Sequence, residues 1–161
     1  TPDWLSAVAR DIAILRSDSN HQERAHESLV EDFLVALGYA KHQDIRYRQG
    51  RIDITLYAGN RPVAVFEVKR DWELNSASIA VIKQAYNYSL EQGIRFVVIT
   101  NGDYYLVMDR LKGLSFESNV VGEFTISALQ EGSLDLIESL RPERLRTNDV
   151  RQILERLSEG F

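Results

Sequence analysis

Cysteine is absent from this 161-residue chain. That one absence excludes disulfides, cysteine-ligated zinc and a thiol nucleophile together, and it is compatible with a cytoplasmic protein. No apolar run approaches the ~20 residues that a membrane-spanning helix needs. The opening TPDWLSAVARDIA has an early acid and no apolar leader, so neither a signal segment nor a membrane partner is expected. A glycine-rich phosphate loop is also missing, which excludes a nucleotide-hydrolysing motor of that type. The histidines at 21, 26 and 42 do not have the spacing of a metal-ligand set. Positive charge is in deficit: 19 Lys and Arg stand against 24 Asp and Glu, a formal net charge of −5. Such a balance disfavours a stand-alone nucleic-acid binder, because phosphate affinity is mainly cationic.

The charge is unevenly placed. Between Lys41 and Arg70 there are seven bases (Lys41, Arg46, Arg48, Arg51, Arg61, Lys69 and Arg70) and three acids (Asp44, Asp53 and Glu67), so this segment is +4 and the remainder −9. A basic middle in an acidic chain suits a polyanion footprint as well as a solvated face. DNA would lie near Arg48, Arg51 and Arg70.

The apolar fraction of 44% and the charged fraction of 27% are those of a globular protein. The length suits one domain over 1–161. Helical spacing is present in 3–16 (Leu5, Val8, Ile12, Leu15) and in about 21–37, which Gly38 is placed to end. Ile45–Arg48 is a weak strand. Arg51–Tyr57 alternates, with Ile52, Ile54 and Leu56 expected on one face and Arg51, Asp53 and Thr55 on the other. The turn residues AGNRP lead into VAVFEVKR at 63–70, a covered central strand. A single helix is expected over 76–92, with Ile79, Ile82, Ala85, Tyr86 and Leu90 towards the core. Strands follow at 94–102 and 103–109. After a polar stretch, helices are expected at about 125–140 and 147–158, separated by Pro142. The order implies an α/β fold: a mixed central sheet flanked by helices, with extra C-terminal helices. The core spans about 21–110 and the helical extension about 123–160.

Three residues carry chemistry. Glu67 and Lys69 are two apart on one strand and so share a face. The hairpin brings Asp53 to that face. Two carboxylates offer hard oxygen ligands to Mg²⁺, with Mn²⁺ able to substitute, and the Val68 carbonyl offers a third. Lys69 would position the attacking water or stabilise charge on a phosphate. An edge Asp and a solvated Glu–Lys pair, worth ~0–1 kcal/mol, suit the same residues. Against that, Glu67 ends a strongly apolar run, where a charge is costly.

RIDITLY, the turn and VAVFEVKR together resemble the D-X(n)-(D/E)-X-K core of PD-(D/E)XK nucleases, with Ile52 where the name-giving proline would stand. KQAYNYSL carries Gln84 and Tyr88 in a QxxxY pattern, IRFVVITNGDYYLV is similar to a strand-TNG-strand segment, and FLVALGY ends a helix with acids upstream. In this order they resemble the N-terminal nuclease domain of type I restriction enzyme R (HsdR) subunits, over about 21–110. The resemblance implies a restriction-endonuclease-like fold and Mg²⁺-dependent hydrolysis of DNA to 5′-phosphate and 3′-hydroxyl ends. It implies metal ligation by Asp53 and Glu67, catalysis by Lys69, and a helix-borne acid at Glu23, with Glu27 one turn on as the alternative. Gln84 and Tyr88 would contact DNA or support Lys69. The implied partners are DNA and other domains or subunits of a restriction complex, with a second copy of the chain also a candidate. A binding module without cleavage on the same fold is the competing reading.

Overall fold

Alternation along the central strands decides the layers. In a computed structural model that describes residues 1–18, 24–79 and 83–147, six strands form one sheet in the order β1 (Ile45–Tyr47), β2 (Ile54–Ala58), β3 (Arg61–Val68), β4 (Phe96–Thr100), β5 (Tyr104–Asp109) and β6 (Val120–Thr125). Only β3 and β4 run parallel; every other neighbouring pair is antiparallel. A parallel pair needs a crossover, and α3 (Ser76–Ile79) and α4 (Gln84–Gln92) lie within it. The result is a mixed-sheet α/β fold of the restriction-endonuclease-like kind, as the sequence implies.

One face of the sheet carries Ala64, Phe66, Val98, Tyr105 and Val107 into the larger core. There they meet α1 (Asp3–Ser17), α2 (Ala25–Leu37), α5 (Ser133–Glu138) and α6 (Pro142–Thr147) through Leu5, Ile12, Leu29, Phe33, Ile137 and Leu145. The alternate residues Val65, Val97, Ile99, Leu106 and Met108 face α4 and form a second core with Ala85. Glu67, two residues after Val65, therefore belongs to the α4 face. Gly38 ends α2 at φ +118°, its N–H reaching the Val35 carbonyl at 3.0 Å while Tyr39 N–H reaches Leu34 at 3.1 Å. This is the left-handed helix stop that glycine favours.

Four expectations are corrected. Ile52 does not share a face with Ile54 and Leu56: it lies in the second core and they lie in the first. The strand starts only at Ile54, so two-residue periodicity does not extend back to the bend at Asp53. The 76–92 segment is not one unbroken described helix; α4 starts at Gln84 and buries Ala85 and Ser89, while Leu90 is exposed. Ala85 is buried and Tyr86 packs on the second core as expected, while the inward position one turn after Ala85 is Ser89 rather than Leu90. Ile82 and the side chain of Ile79 lie outside the described residues. The third correction is β6, which occupies 120–125 where a polar stretch and a helix are expected. Only Phe124 of this edge strand is buried, so it has no apolar run to betray it. Lastly, the helical segment expected over 125–140 contains only α5, after a short 3-10 turn at Ile126–Ala128. Pro142 opens α6, a position that suits a residue without an N–H. The helix expected over 147–158 lies, from 148 on, outside the described residues.

Candidate active site at the ends of the central strands

Strands β3 and β4, being parallel, end at the same edge of the sheet, with Val68 opposite Thr100. Lys69 N–H still donates to the Thr100 carbonyl at 2.8 Å, which extends the ladder one residue beyond β3. Glu67 and Lys69 thus keep strand geometry and share a face: Lys69 Nζ lies 3.3 Å from Glu67 Oε1. The Glu67 carboxylate is 7% exposed against 39% for the lysine. Its second oxygen, Oε2, is buried and has no hydrogen-bond partner among the described residues. A buried carboxylate oxygen without a donor is costly, and it calls for an explanation in function.

Asp53 reaches the same corner from the bend before β2. Its Oδ2 accepts the Val68 amide at 2.7 Å and its Oδ1 accepts Arg48 Nη1 at 2.8 Å. Asp53 is therefore fixed beside the main chain that links Glu67 to Lys69. The Arg48 guanidinium forks, its Nη2 donating to Glu27 Oε1 in the first turn of α2. These two acids, led by the Glu27 hydrogen bond, raise the Arg48 pKa above its ordinary value. Arg48, expected near DNA or in support of the site, joins two carboxylates there. Glu31, one turn after Glu27, accepts Tyr47 Oη at 2.7 Å and lies 3.5 Å from Lys41 Nζ. Burial first, then that hydrogen bond, raises the Tyr47 phenol pKa above its ordinary value. Glu23 lies outside the described residues.

On the other side of the same loop, Gly50, Arg51, Gln84, Asn87, Tyr88 and Glu91 line a groove of about 570 Å³. Gln84 and Tyr88 are brought together there with Arg51. Gly50 adopts φ +61°, and a Cβ on it would sit 2.8 Å from Tyr88 Cε2. The loop backbone lies against the tyrosine ring, so glycine is required for both conformation and space. Asn87 and Glu91 are lining residues missed in the sequence, although the spacings 84–87–88–91 place them on one helix face. Arg70 is exposed directly after Lys69.

Below the corner, the Thr100–Asn101–Gly102 segment is structural. Asn101 Oδ1 accepts the amides of Asp103 and Tyr104 at 2.9 and 2.8 Å, and its Nδ2 donates to the Asp71 carbonyl at 2.9 Å. Buried His26 Nδ1 lies 2.6 Å from the Asn101 carbonyl, and the imidazole packs on Trp72 at 4.2 Å between ring centres. This network clamps the turn following Lys69 to α2.

Magnesium fits the donors at the corner. They are oxygens only, and one of them is the orphaned Glu67 Oε2. No group of three or more His, Asp or Glu side chains is placed to hold a metal among the described residues. Two carboxylates suffice for an ion that keeps several of its waters. No helix among the described residues is long and apolar enough to cross a membrane.

No curated protein and no solved structure matches the chain significantly. The family model for the Type I restriction enzyme R protein N terminus matches residues 20–116, a span that contains Asp53, Glu67, Lys69, Gln84, Tyr88 and the Asn101 turn. The chain belongs to the family of type I restriction enzyme R protein N-terminal domains.

Proposed function

We propose that the chain is a Mg²⁺-dependent DNA endonuclease domain of a restriction system. The observation that carries this reading is Glu67 Oε2, a buried carboxylate oxygen without a donor, at the corner where Asp53 and Lys69 also lie. Asp53, Glu67 and the Val68 carbonyl would hold the cation, with Glu27 or Glu23 towards its waters. Mg²⁺, with Mn²⁺ as its substitute, supplies a Lewis acid that offsets charge developing on the phosphate. Lys69 aims its ammonium at the reacting phosphate and orients the attacking water. Water adds to phosphorus, the P–O3′ bond breaks, and the products carry a 5′-phosphate and a 3′-hydroxyl. The groove of Arg51, Gln84 and Tyr88 receives the strand next to the scissile bond, and Arg70 contacts backbone phosphate. Sequence choice comes from other domains or subunits of a restriction complex, since base reading needs side chains in a groove of the duplex.

A binding module without cleavage is favoured by one observation, the net charge of −5. Two carboxylates on a phosphate-facing surface oppose it: Arg48 and Lys69 offset them only in part, so they repel DNA unless a cation bridges them.

Supercoiled plasmid incubated with the protein and Mg²⁺ or Mn²⁺ separates the two. Lys69→Ala and Asp53→Ala are each expected to lower the cleavage rate by ~10²–10³-fold. Cleavage that persists at the wild-type rate in both variants sinks the assignment. DNA binding without cleavage, together with no Mn²⁺-induced rise in Tm for wild type, supports the binding module.

A further inference from the structure

We infer that Arg48 is a built-in counter-ion, which holds Asp53 and Glu27 until a divalent cation takes Asp53 and is thereby released towards a phosphate. The inference rests on the reading of Asp53 and Glu67 as a cation site.

The backbone is the first observation. Among the described residues Arg48 is the one non-glycine residue at positive φ, +58°. A Cβ there works against the chain, and glycine would relieve it. The loop does not need the guanidinium to close. Arg48 N–H donates to the Asp53 carbonyl and Ile52 N–H to the Gln49 carbonyl, each at 3.2 Å. Tyr57 Oη donates to Gln49 Oε1 at 2.7 Å. An arginine kept at a strained position that its loop does not require points to a role for the side chain.

Its contacts indicate which role. Asp53 Oδ2 is committed to the Val68 amide, which leaves Oδ1 to face a cation, and Arg48 Nη1 now holds Oδ1. The guanidinium substitutes for part of the positive charge that the corner lacks. Its Nη1 arm has room to leave Asp53. Its side chain is 55% exposed, against 26% for Asp53 and 14% for Glu27. It borders a cavity of about 400 Å³ shared with Arg24, Ser28 and Glu31. Glu31 does not offer an empty carboxylate for recapture, since Tyr47 and Lys41 take its two oxygens. Once Asp53 is taken, Nη2 stays on Glu27 while the Nη1 arm is released and faces whatever anion approaches the mouth of the site. Cation binding and DNA binding then become coupled, the first exposing a charge for the second.

Calorimetric titration of Mn²⁺ alone, without DNA, tests this on wild type, Arg48→Gly and Arg46→Ala. Glycine tolerates the left-handed conformation, so the first variant keeps the loop. Arg46 carries an equal charge two residues away but stacks 3.9 Å from the centre of the Tyr57 ring. Arg48→Gly is expected to bind Mn²⁺ about tenfold tighter or more, and Arg46→Ala within about twofold of wild type. Equal tightening in both reveals a general charge effect and overturns the inference. Unchanged affinity in Arg48→Gly overturns it too, while leaving the cation site of wild type standing. If neither wild type nor Arg48→Gly binds Mn²⁺, the inference and the nuclease reading fail together. Duplex DNA is then titrated with and without Ca²⁺. A Ca²⁺-dependent gain in wild-type affinity that Arg48→Gly largely loses supports release towards phosphate; an undiminished gain overturns that step.

Discussion

The ends of β3 and β4 lie side by side and are both polar, yet they are built on opposite terms. At the end of β4, Asn101 spends its amide on two main-chain N–H groups and one carbonyl, and Thr100 Oγ1 accepts Gly102 N–H at 2.9 Å. At the end of β3, Glu67 keeps a buried oxygen without a donor, and Asp53 is held by an arginine in a strained conformation. The first corner is a hydrogen-bonded network, which rigidifies. The second stores a cost that a ligand can relieve. Two adjacent strand ends thus divide the work: one fixes the frame and the other is left incomplete.

Substitutions sharpen that contrast. The largest loss of stability is expected at Asn101→Ala, about 3–5 kcal/mol, because two buried N–H groups and a carbonyl lose their partners. Urea unfolding measures it, and a loss below ~1.5 kcal/mol would mean that water replaces the amide. Next comes Gly102→Ala. At φ +94° the new Cβ would meet Leu29 Cβ at 2.9 Å and the His26 carbonyl at 3.1 Å. A loss of about 2–4 kcal/mol is expected; if α2 yields without loss, the clamp between α2 and this turn is not rigid. The smallest change in stability belongs to Glu67→Gln. Removing a buried, half-compensated charge should leave stability level or raise it by up to ~1.5 kcal/mol, while Mn²⁺ affinity and cleavage fall. A clear destabilisation in the same urea experiment would show that Glu67 supports the fold and would remove the contrast between the two strand ends.

Much of the frame was legible because apolar alternation is a local signal. The runs at 63–70, 94–102 and 103–109 identify β3, β4 and β5, and Gly38 marks the end of α2. The Glu67–Lys69 pairing was legible for the same reason, since two residues along a strand is one face. The elements that escaped lack such a signal. β6 buries only Phe124, α4 turns Ser89 rather than Leu90 inward, and Ile52 lies before its strand begins. Arg48 was legible as a base near the site, but its partner Glu27 lies 21 residues earlier on another element, and no local pattern links them.

By itself, the amino-acid order determined which side chains are candidates for the site and which strand holds two of them, because backbone periodicity follows from covalent geometry. Only the tertiary structure decided that Asp53 lies against the Val68 amide, that one Glu67 oxygen is buried without a donor, and that Arg48 bridges Asp53 and Glu27. Those relations depend on how distant segments pack, and electrostatic energy depends on distance and burial rather than on position along the chain.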